Sequence, residues 1–306
     1  MNIKLELPDS FFKEEERSGY VVSEEKKKLW AVELDLLNEF MRVCKKHNIR
    51  FFASDGTLLG VARHGGFIPW DDDLDIAMTR EEYKKLDAVA SEEFQYPYFW
   101  QNERTERDST RGFAKLRNVT TTGIVSSQLP YKYTHCQGIC IDVLPLDYVP
   151  EDDEERKVFL DKVRKLHHRM RNFSNHTTRW RDLRKYRGWK RAKRWIYHLY
   201  LTKIVRAKEN PLYDELEKMR QSYNAVPTKK LGEICCHFFE ERFMWDADWF
   251  STTIEMPFEN LLIPVSVDYD KILTKEYGDW RTPSQEPGCH AEIFFDVEKP
   301  YTEYIK

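Results

Sequence analysis

The sequence predicts an α/β fold: a small mixed sheet flanked by helices, with a helical insertion in the second half of the chain. Three observations carry that prediction. Over residues 24–94 the apolar pattern alternates between helical period and strand-like runs, in the order helix, strand, short helix, strand, helix. Two more strand-like runs follow at 112–117 and 138–145. From residue 151 to about 225, helical patterns take over. With 306 residues, 41% of them hydrophobic, the chain can build one large domain or a domain with a subdomain. The expected division is a core over 1–150, a basic helical subdomain over 151–225, and a C-terminal part over 226–306 that packs back on the core.

Residues 24–47 read as an amphipathic helix. Leu29, Val32, Leu36, Leu37, Phe40, Val43 and Cys44 fall on one stripe, with Lys and Glu opposite. This helix should cover a first strand at 49–53. Asp55-Gly56-Thr57 makes the turn into a short helix over 57–63, and Gly65-Gly66 permits a sharp return towards Gly56. Asp71-Asp72-Asp73-Leu74-Asp75 then runs into the apolar Ile76-Ala77-Met78. Thr79 and Glu82 have the spacing of a capping box, predicting a helix to about Phe94. In the strand at 112–117, Lys115 and Arg117 share a face. In the strand at 138–145, Ile139, Ile141 and Val143 face one way and Cys140 and Asp142 the other. Acids over 151–155 suit a helix N-terminus. Residues 258–267 read as an extended segment broken at Pro264, and Asp268 opens a helix over 269–277 closed by Gly278.

The chemistry centres on residues 51–78. On a strand, Asp73 and Asp75 point the same way while Leu74 and Ile76 point into a core. Two carboxylates on one face repel unless a cation lies between them. A hard divalent ion with oxygen ligands, Mg²⁺ or else Mn²⁺, is the natural occupant. The glycine turn at Gly56-Thr57 starts a helix, whose unpaired N–H groups favour an anion. A metal beside a phosphate suits phosphoryl or nucleotidyl transfer. A lone Asp-x-Asp would read as a solvated loop, but here the acids end in an apolar strand and follow a Gly-Thr turn. An EF-hand loop from Asp71 is excluded, because its sixth position is Ile76 rather than Gly. Asp142 inside an apolar run is costly without a partner. It becomes a third carboxylate if its strand lies beside that of Asp73 and Asp75, or else caps a turn near Pro145. Asp147 reads as a loop residue. Lys115 and Arg117 could neutralise phosphate or simply line a solvated face. Arg63 could pair with phosphate oxygens, and His64 reads as a surface or structural histidine.

These residues carry a resemblance. The stretch GTLLGVARHGGFIPWDDDLDIAM, residues 56–78, resembles the hallmark of the LicD family, bacterial phosphocholine transferases related to fukutin and fukutin-related protein. That family belongs to the nucleotidyltransferase superfamily, whose pattern is a Gly-Ser or Gly-Thr turn followed by Asp-apolar-Asp-apolar. Here these are Gly56-Thr57 and Asp73-Leu74-Asp75-Ile76, with a spacer over 58–72 that looks normal for the family. A Lys-Leu-Arg segment at 115–117, IDVLPLD at 141–147 and VDYDKILTKEYGDWRTP at 267–283 also resemble family segments. The resemblance implies a nucleotidyltransferase-type sheet and transfer of a phospho-alcohol from a CDP-linked donor, typically CDP-choline. The acceptor would be a sugar or polyol hydroxyl of a lipopolysaccharide, teichoic acid or other surface glycan. Asp73 and Asp75 would hold Mg²⁺ against the diphosphate. Asp142 would complete the metal site or take the acceptor proton. Gly56, Thr57, Arg63, Lys115 and Arg117 would bind substrate.

The basic middle departs from that pattern. Residues 162–208 hold seventeen Lys or Arg and a single acid, Asp182, with Trp180, Trp189, Trp195, Tyr186, Tyr197 and Tyr200 interleaved. Trp189, Ala192, Ile196, Leu199 and Tyr200 recur at helical spacing. Packing on the core comes first among the readings, then contact with an anionic membrane, and nucleic-acid binding last. Net charge is only −3, and no nucleic acid is expected as a partner. Two further functions compete with phosphotransfer: a nucleotidyltransferase that uses NTP, and a non-catalytic basic protein binding membrane or nucleic acid. Six cysteines without scaffold spacing read as reduced thiols. Cys235-Cys236-His237 with Cys289-His290 lacks the usual Cys-x-x-Cys spacing, so zinc is not expected. Residues 1–8 have no apolar signal region and no run is long enough to span a bilayer, so a cytoplasmic protein is expected, at most against the inner membrane face.

Overall fold

The computed structural model describes residues 1–106, 109, 111–126, 129, 135–177, 186–200, 211–237, 240–282 and 293–304. A hairpin of β1 (Glu15–Arg17) and β2 (Tyr20–Val22) leads into α1 (Glu24–Lys46). Then come β3 (Phe52–Ala53), α2 (Asp55–His64), β4 (Asp75–Thr79), α3 (Arg80–Glu93), β5 (Tyr98–Gln101), β6 (Ala114–Asn118), β7 (Thr122–Val125) and β8 (Cys140–Val149). The helical middle holds α4 (Asp153–Thr177), α5 (Gly188–Leu199) and α6 (Pro211–Arg220). The chain closes with β9 (Lys230–Gly232), β10 (Met244–Asp246), β11 (Thr253–Phe258), β12 (Leu261–Ser266), α7 (Tyr269–Tyr277) and β13 (Ile293–Asp296).

The main sheet is mixed, as the sequence predicts. Its order is β10-β9-β8-β4-β3, with β6 also on β8 and β5 outside β6. β4 and β8 run parallel, and the other pairs are antiparallel. The ten-residue β8 is the spine. It pairs with β4 over 142–146, with β6 over 140–143 and with β9 over 147–149. Its apolar residues Ile141, Val143, Leu146 and Val149 are buried, as befits a strand covered on both faces. α1 lies on this sheet and buries Trp30, Leu34, Leu36, Leu37 and Phe40 completely. Its first turn is capped by Ser23, whose hydroxyl accepts from Lys26 N at 3.2 Å. Leu74 and Ile76 are both fully buried, the apolar half of the alternation read in the sequence. A second core joins α4 and α6 to the sheet through Phe159, Leu160, Val163, Met170 and Leu216 with Val149 and Met244.

Several expectations change. The strand expected at 49–53 shrinks to Phe52–Ala53, because Ile49 N still bonds back to Cys44 O and Asn48 takes a left-handed turn at φ 52°. Thr79 sits at the cap of α3 but makes no side-chain cap bond. Glu82 instead accepts from Arg50 N and Lys85, each at 3.0 Å, so the capping box does not form. The extended segment at 258–267 is the second half of a hairpin, β11 with β12, whose two-stranded sheet tolerates Pro264. Asp147 is no loop residue. It lies on β8, fully buried, and takes a bidentate ion pair from Arg80 at 2.8 and 2.6 Å plus a bond from Asn224 at 2.7 Å. α5 does not pack into a core: none of its residues is buried, and Trp189, Trp195, Ile196 and Tyr197 on it, with Tyr200 just beyond its end, are exposed. Trp180, Asp182, Cys289 and His290 lie outside the described residues. Among the described residues, no helix is long and apolar enough to cross a membrane.

Candidate active site

The site begins where β3 gives way to α2. Ser54 N donates to Asp75 O at 3.1 Å, and Asp75 N donates to Thr57 Oγ1 at 2.8 Å. Both backbone groups of Asp75 are thus held by the turn that starts α2. The buried Thr57 hydroxyl serves here as a clamp on β4. Gly65, left-handed at φ 62°, caps the far end of α2 and turns the chain back. Asp71 then returns so close to Gly56 that a Cβ on that glycine would lie 2.8 Å from Asp71 Oδ2. The resemblance implied that this glycine binds substrate, and the group that approaches it here is a carboxylate of the chain itself. Trp30 Nε1 holds the same residue through Asp71 O at 3.2 Å.

Carboxylate oxygens of Asp71, Asp72 and Asp73 lie within 4.8 Å of one another. β4 begins only at Asp75, so Asp73 belongs to the extended lead-in rather than to the strand. The parallel register sets Asp75 opposite Asp142, and Asp142 N donates to Leu74 O at 2.8 Å. The antiparallel register of β6 sets Lys115 opposite Asp142 on the other side. Lys115 Nζ pairs with Asp142 Oδ1 and lies 3.7 Å from Cys140 Sγ. The strand adjacency expected for Asp142 is therefore present, and its carboxylate already holds a lysine.

Crowded carboxyls dominate the electrostatics. Burial pushes the Asp75 carboxyl well above the usual range, and Asp73, Asp55, Asp142 and Asp71 push it further. Asp55, at φ 47° on the first residue of α2, is raised by burial against the opposing pull of His237. Glu33, buried on α1, is raised well above normal by burial and then by Asp73 and Asp72. Its Oε2 has no hydrogen-bond partner among the described residues. Glu276 and Tyr277 at the end of α7 are raised by burial and by Asp55. All the acids that meet at Asp75 offer oxygen donors, the set that suits Mg²⁺ or Mn²⁺.

The remaining candidates sit around this centre. Arg63 Nε donates to His64 Nε2 at 3.0 Å and its Nη1 to Trp280 O at 3.2 Å, and burial lowers its pKa. His64 is lowered to about 4 by burial and by Arg63 and Arg17, so it is neutral at ordinary pH. Arg117 is buried, with Nε on Gln101 Oε1 and Nη1 on Gly138 O, both at 2.5 Å. Those bonds tie β6 to β5 and to the start of β8. Sequence reasoning missed Glu33, Asp55, Glu233 and Glu276. Asp55 was visible beside the Gly-Thr turn. Glu33 occupies a buried position in an apolar stretch of α1, which is itself a signal. Glu233 and Glu276 come from distant segments and carry none.

Residues 48–188 match the family model described as LicD/FKTN/FKRP, nucleotidyltransferase domain. The chain is 26% identical over 260 residues to the lipopolysaccharide cholinephosphotransferase LicD of Haemophilus influenzae, covering 83% of this chain and 90% of that protein. Shorter matches reach two uncharacterized rickettsial proteins. One, of Rickettsia prowazekii, is 38% identical over 22% of this chain and 26% of its own length. The other, of Rickettsia typhi, is 42% identical over 21% and 19%. The matched span contains the α2 clamp, the run of acids, Lys115 and Asp142, so the candidate site lies within the segment that resembles the LicD/FKTN/FKRP nucleotidyltransferase domain.

Proposed function

We propose that this protein transfers a phospho-alcohol, with phosphocholine the first candidate, from a CDP-linked donor to a hydroxyl of a lipopolysaccharide, teichoic acid or related surface glycan. The observation that carries the reading is the β4–β8–β6 register. It lines up Asp75, Asp142 and Lys115 beside Asp71, Asp72 and Asp73, at the N-terminus of α2. Similarity to the Haemophilus cholinephosphotransferase over most of both chains supports the donor and acceptor classes.

In this reading Asp73 and Asp75, with Asp71 beside them, would hold a divalent cation. The orphaned Glu33 Oε2 behind them supports a site built to balance positive charge. The cation, Mg²⁺ or Mn²⁺, would neutralise the diphosphate and the charge developing on the departing phosphate. The first-turn N–H groups of α2 and Lys115 would face phosphate oxygens. Asp142 would complete the metal site or accept the proton of the acceptor hydroxyl, which attacks the phosphorus bearing the choline as CMP leaves. Arg63 and Arg117 would act on substrate only by exchanging the bonds they now make. The exposed aromatic and basic residues of α5 would rest on an anionic lipid surface where a lipid-linked acceptor is presented.

The test incubates purified protein with Mg²⁺, a panel of CDP-alcohols, the four NTPs and a surface-glycan fraction, and measures CMP and pyrophosphate. CMP released from one donor, dependent on acceptor and abolished in Asp73→Asn, is the expected result. That substitution should cost roughly 3 kcal/mol or more of transition-state stabilisation. Pyrophosphate release from an NTP would replace the proposal with nucleotidyl transfer. Folded protein giving neither product would overturn both.

A further inference from the structure

A second cluster of donors lies on the turn after β9, at the edge of the acidic site. Its members are Glu233, Cys236 and His237, whose donor atoms all lie within 4.8 Å of one another. Cys236 Sγ is 2.7 Å from Glu233 Oε1, and His237 Nε2 is 3.5 Å from the same oxygen. Tetrahedral zinc, with bonds of about 2.0–2.3 Å, sets its donors about 3.3–3.7 Å apart. The cluster is therefore already near the size of a zinc shell.

Two features point to a ligand here. Glu233 is fully buried, and its Oε2 has no hydrogen-bond partner among the described residues. The imidazole is held in a ligand's orientation. Nε2 faces the cluster, Nδ1 lies 3.3 Å from Glu240 Oε1, and the ring stacks on Phe243 at 3.7 Å. A carboxylate on the far nitrogen is the arrangement seen behind metal-bound histidines.

We propose that Glu233, Cys236 and His237 form a three-ligand zinc site. A thiolate, an imidazole and a carboxylate favour zinc over the magnesium that an all-oxygen set selects. Adjacent cysteines argued against zinc in the sequence. The folded turn resolves the spacing by using Cys236 alone, with Glu233 three residues before it and His237 immediately after. Such an ion would tie Glu233 to Cys236 and His237 and so fix the turn after β9. Cys236 is exposed, which gives the ion a route from solvent.

The test reads metal content, so it stands apart from the transferase reading. Full-length protein purified without chelator, or dialysed after equimolar zinc, should hold about one zinc per chain. Asp73→Asn should retain it, whereas Cys236→Ser and His237→Ala should lose it with far-ultraviolet circular dichroism unchanged. Glu240→Gln should keep the fold and weaken zinc binding about 10- to 100-fold. Cobalt in place of zinc should give a thiolate charge-transfer band that disappears in Cys236→Ser. Negligible zinc in the wild-type protein, or equal zinc in the wild type and in Cys236→Ser and Glu240→Gln, would overturn the site. If His237→Ala fails to fold, Glu240→Gln and the cobalt band still decide it.

Discussion

Gly56→Ala separates the chemistry of the site from the stability of the fold. The added Cβ would sit 2.8 Å from Asp71 Oδ2, where ordinary contact begins at 3.4 Å, so that carboxylate must move by about 0.6 Å or more. Asp71 Oδ1 accepts from Asp72 N at 3.2 Å, and Trp30 holds the Asp71 carbonyl, so the easiest escape is rotation of the side chain. Leaving its rotamer costs about 0.5–1.5 kcal/mol. Against that, alanine in a helix is better than glycine by about 0.5–1 kcal/mol. The two nearly cancel, and Tm should change by no more than about 3 °C. Turnover should respond differently, because a displacement approaching 1 Å in a reacting constellation costs on the order of 10²-fold. The expected result is a protein of wild-type melting temperature with about 10- to 100-fold less CMP release and weaker Mn²⁺ stabilisation. Gly19→Ala is the control. Gly19 is left-handed at φ 76° in the β1–β2 turn with nothing near its Cβ, so it should lose about 1 kcal/mol of stability and keep its turnover. Gly56→Ala with turnover within twofold of wild type would refute the claim that Asp71 belongs to the site.

Thr57→Val keeps the shape of the clamp and removes the acceptor for Asp75 N, which should cost about 1–3 kcal/mol in a urea melt and reduce turnover as well. Asp147→Ala removes the bidentate pair of buried Arg80 and leaves it Glu217 alone, which should cost about 3 kcal/mol, read from the same melt. The carboxyls of Glu33, Asp55, Asp75, Glu233 and Glu276 are all raised in the folded state. Each binds more protons folded than unfolded, so its contribution is present below the unfolded pKa of about 4 and is lost as pH rises through the folded value. Chelated protein should therefore melt at lower temperature as pH climbs from about 5 to 8, and Mn²⁺ or Mg²⁺ should restore more at pH 8 than at pH 5. A flat profile would mean that the acids carry no such load. For α5, sedimentation with phosphatidylserine-containing vesicles should pull down the protein at low salt, and Trp189→Ser with Trp195→Ser should weaken that binding without changing the melt.

The centre of the site was legible because it is local. Gly56, Thr57, Asp73, Asp75 and the buried Leu74 and Ile76 lie within one stretch of chain, and strand alternation orders them without reference to anything distant. Asp142 and Lys115 could be placed on strands of the right period, but their meeting needed the register of β8 between β4 and β6. Periodicity does not encode that choice of neighbour. Asp147 misled for the same reason. It read as a loop residue, whereas Arg80, 67 residues away in the chain, pairs with it inside the strand. Arg117 looked available because strand alternation says which face a side chain takes and nothing about Gln101 and the Gly138 carbonyl waiting there. By itself the sequence determined the α/β class, the acidic strand entry, the Gly-Thr helix start and the basic insertion, since each is a short-range pattern of polarity. Only the tertiary structure decided which acids gather around Asp75. Glu33 on α1 is brought near Asp73 and Asp72, Glu233 on the turn after β9 near Asp55 and Asp75, and Glu276 on α7 near Asp55, by the burial of apolar faces that lie elsewhere on those elements.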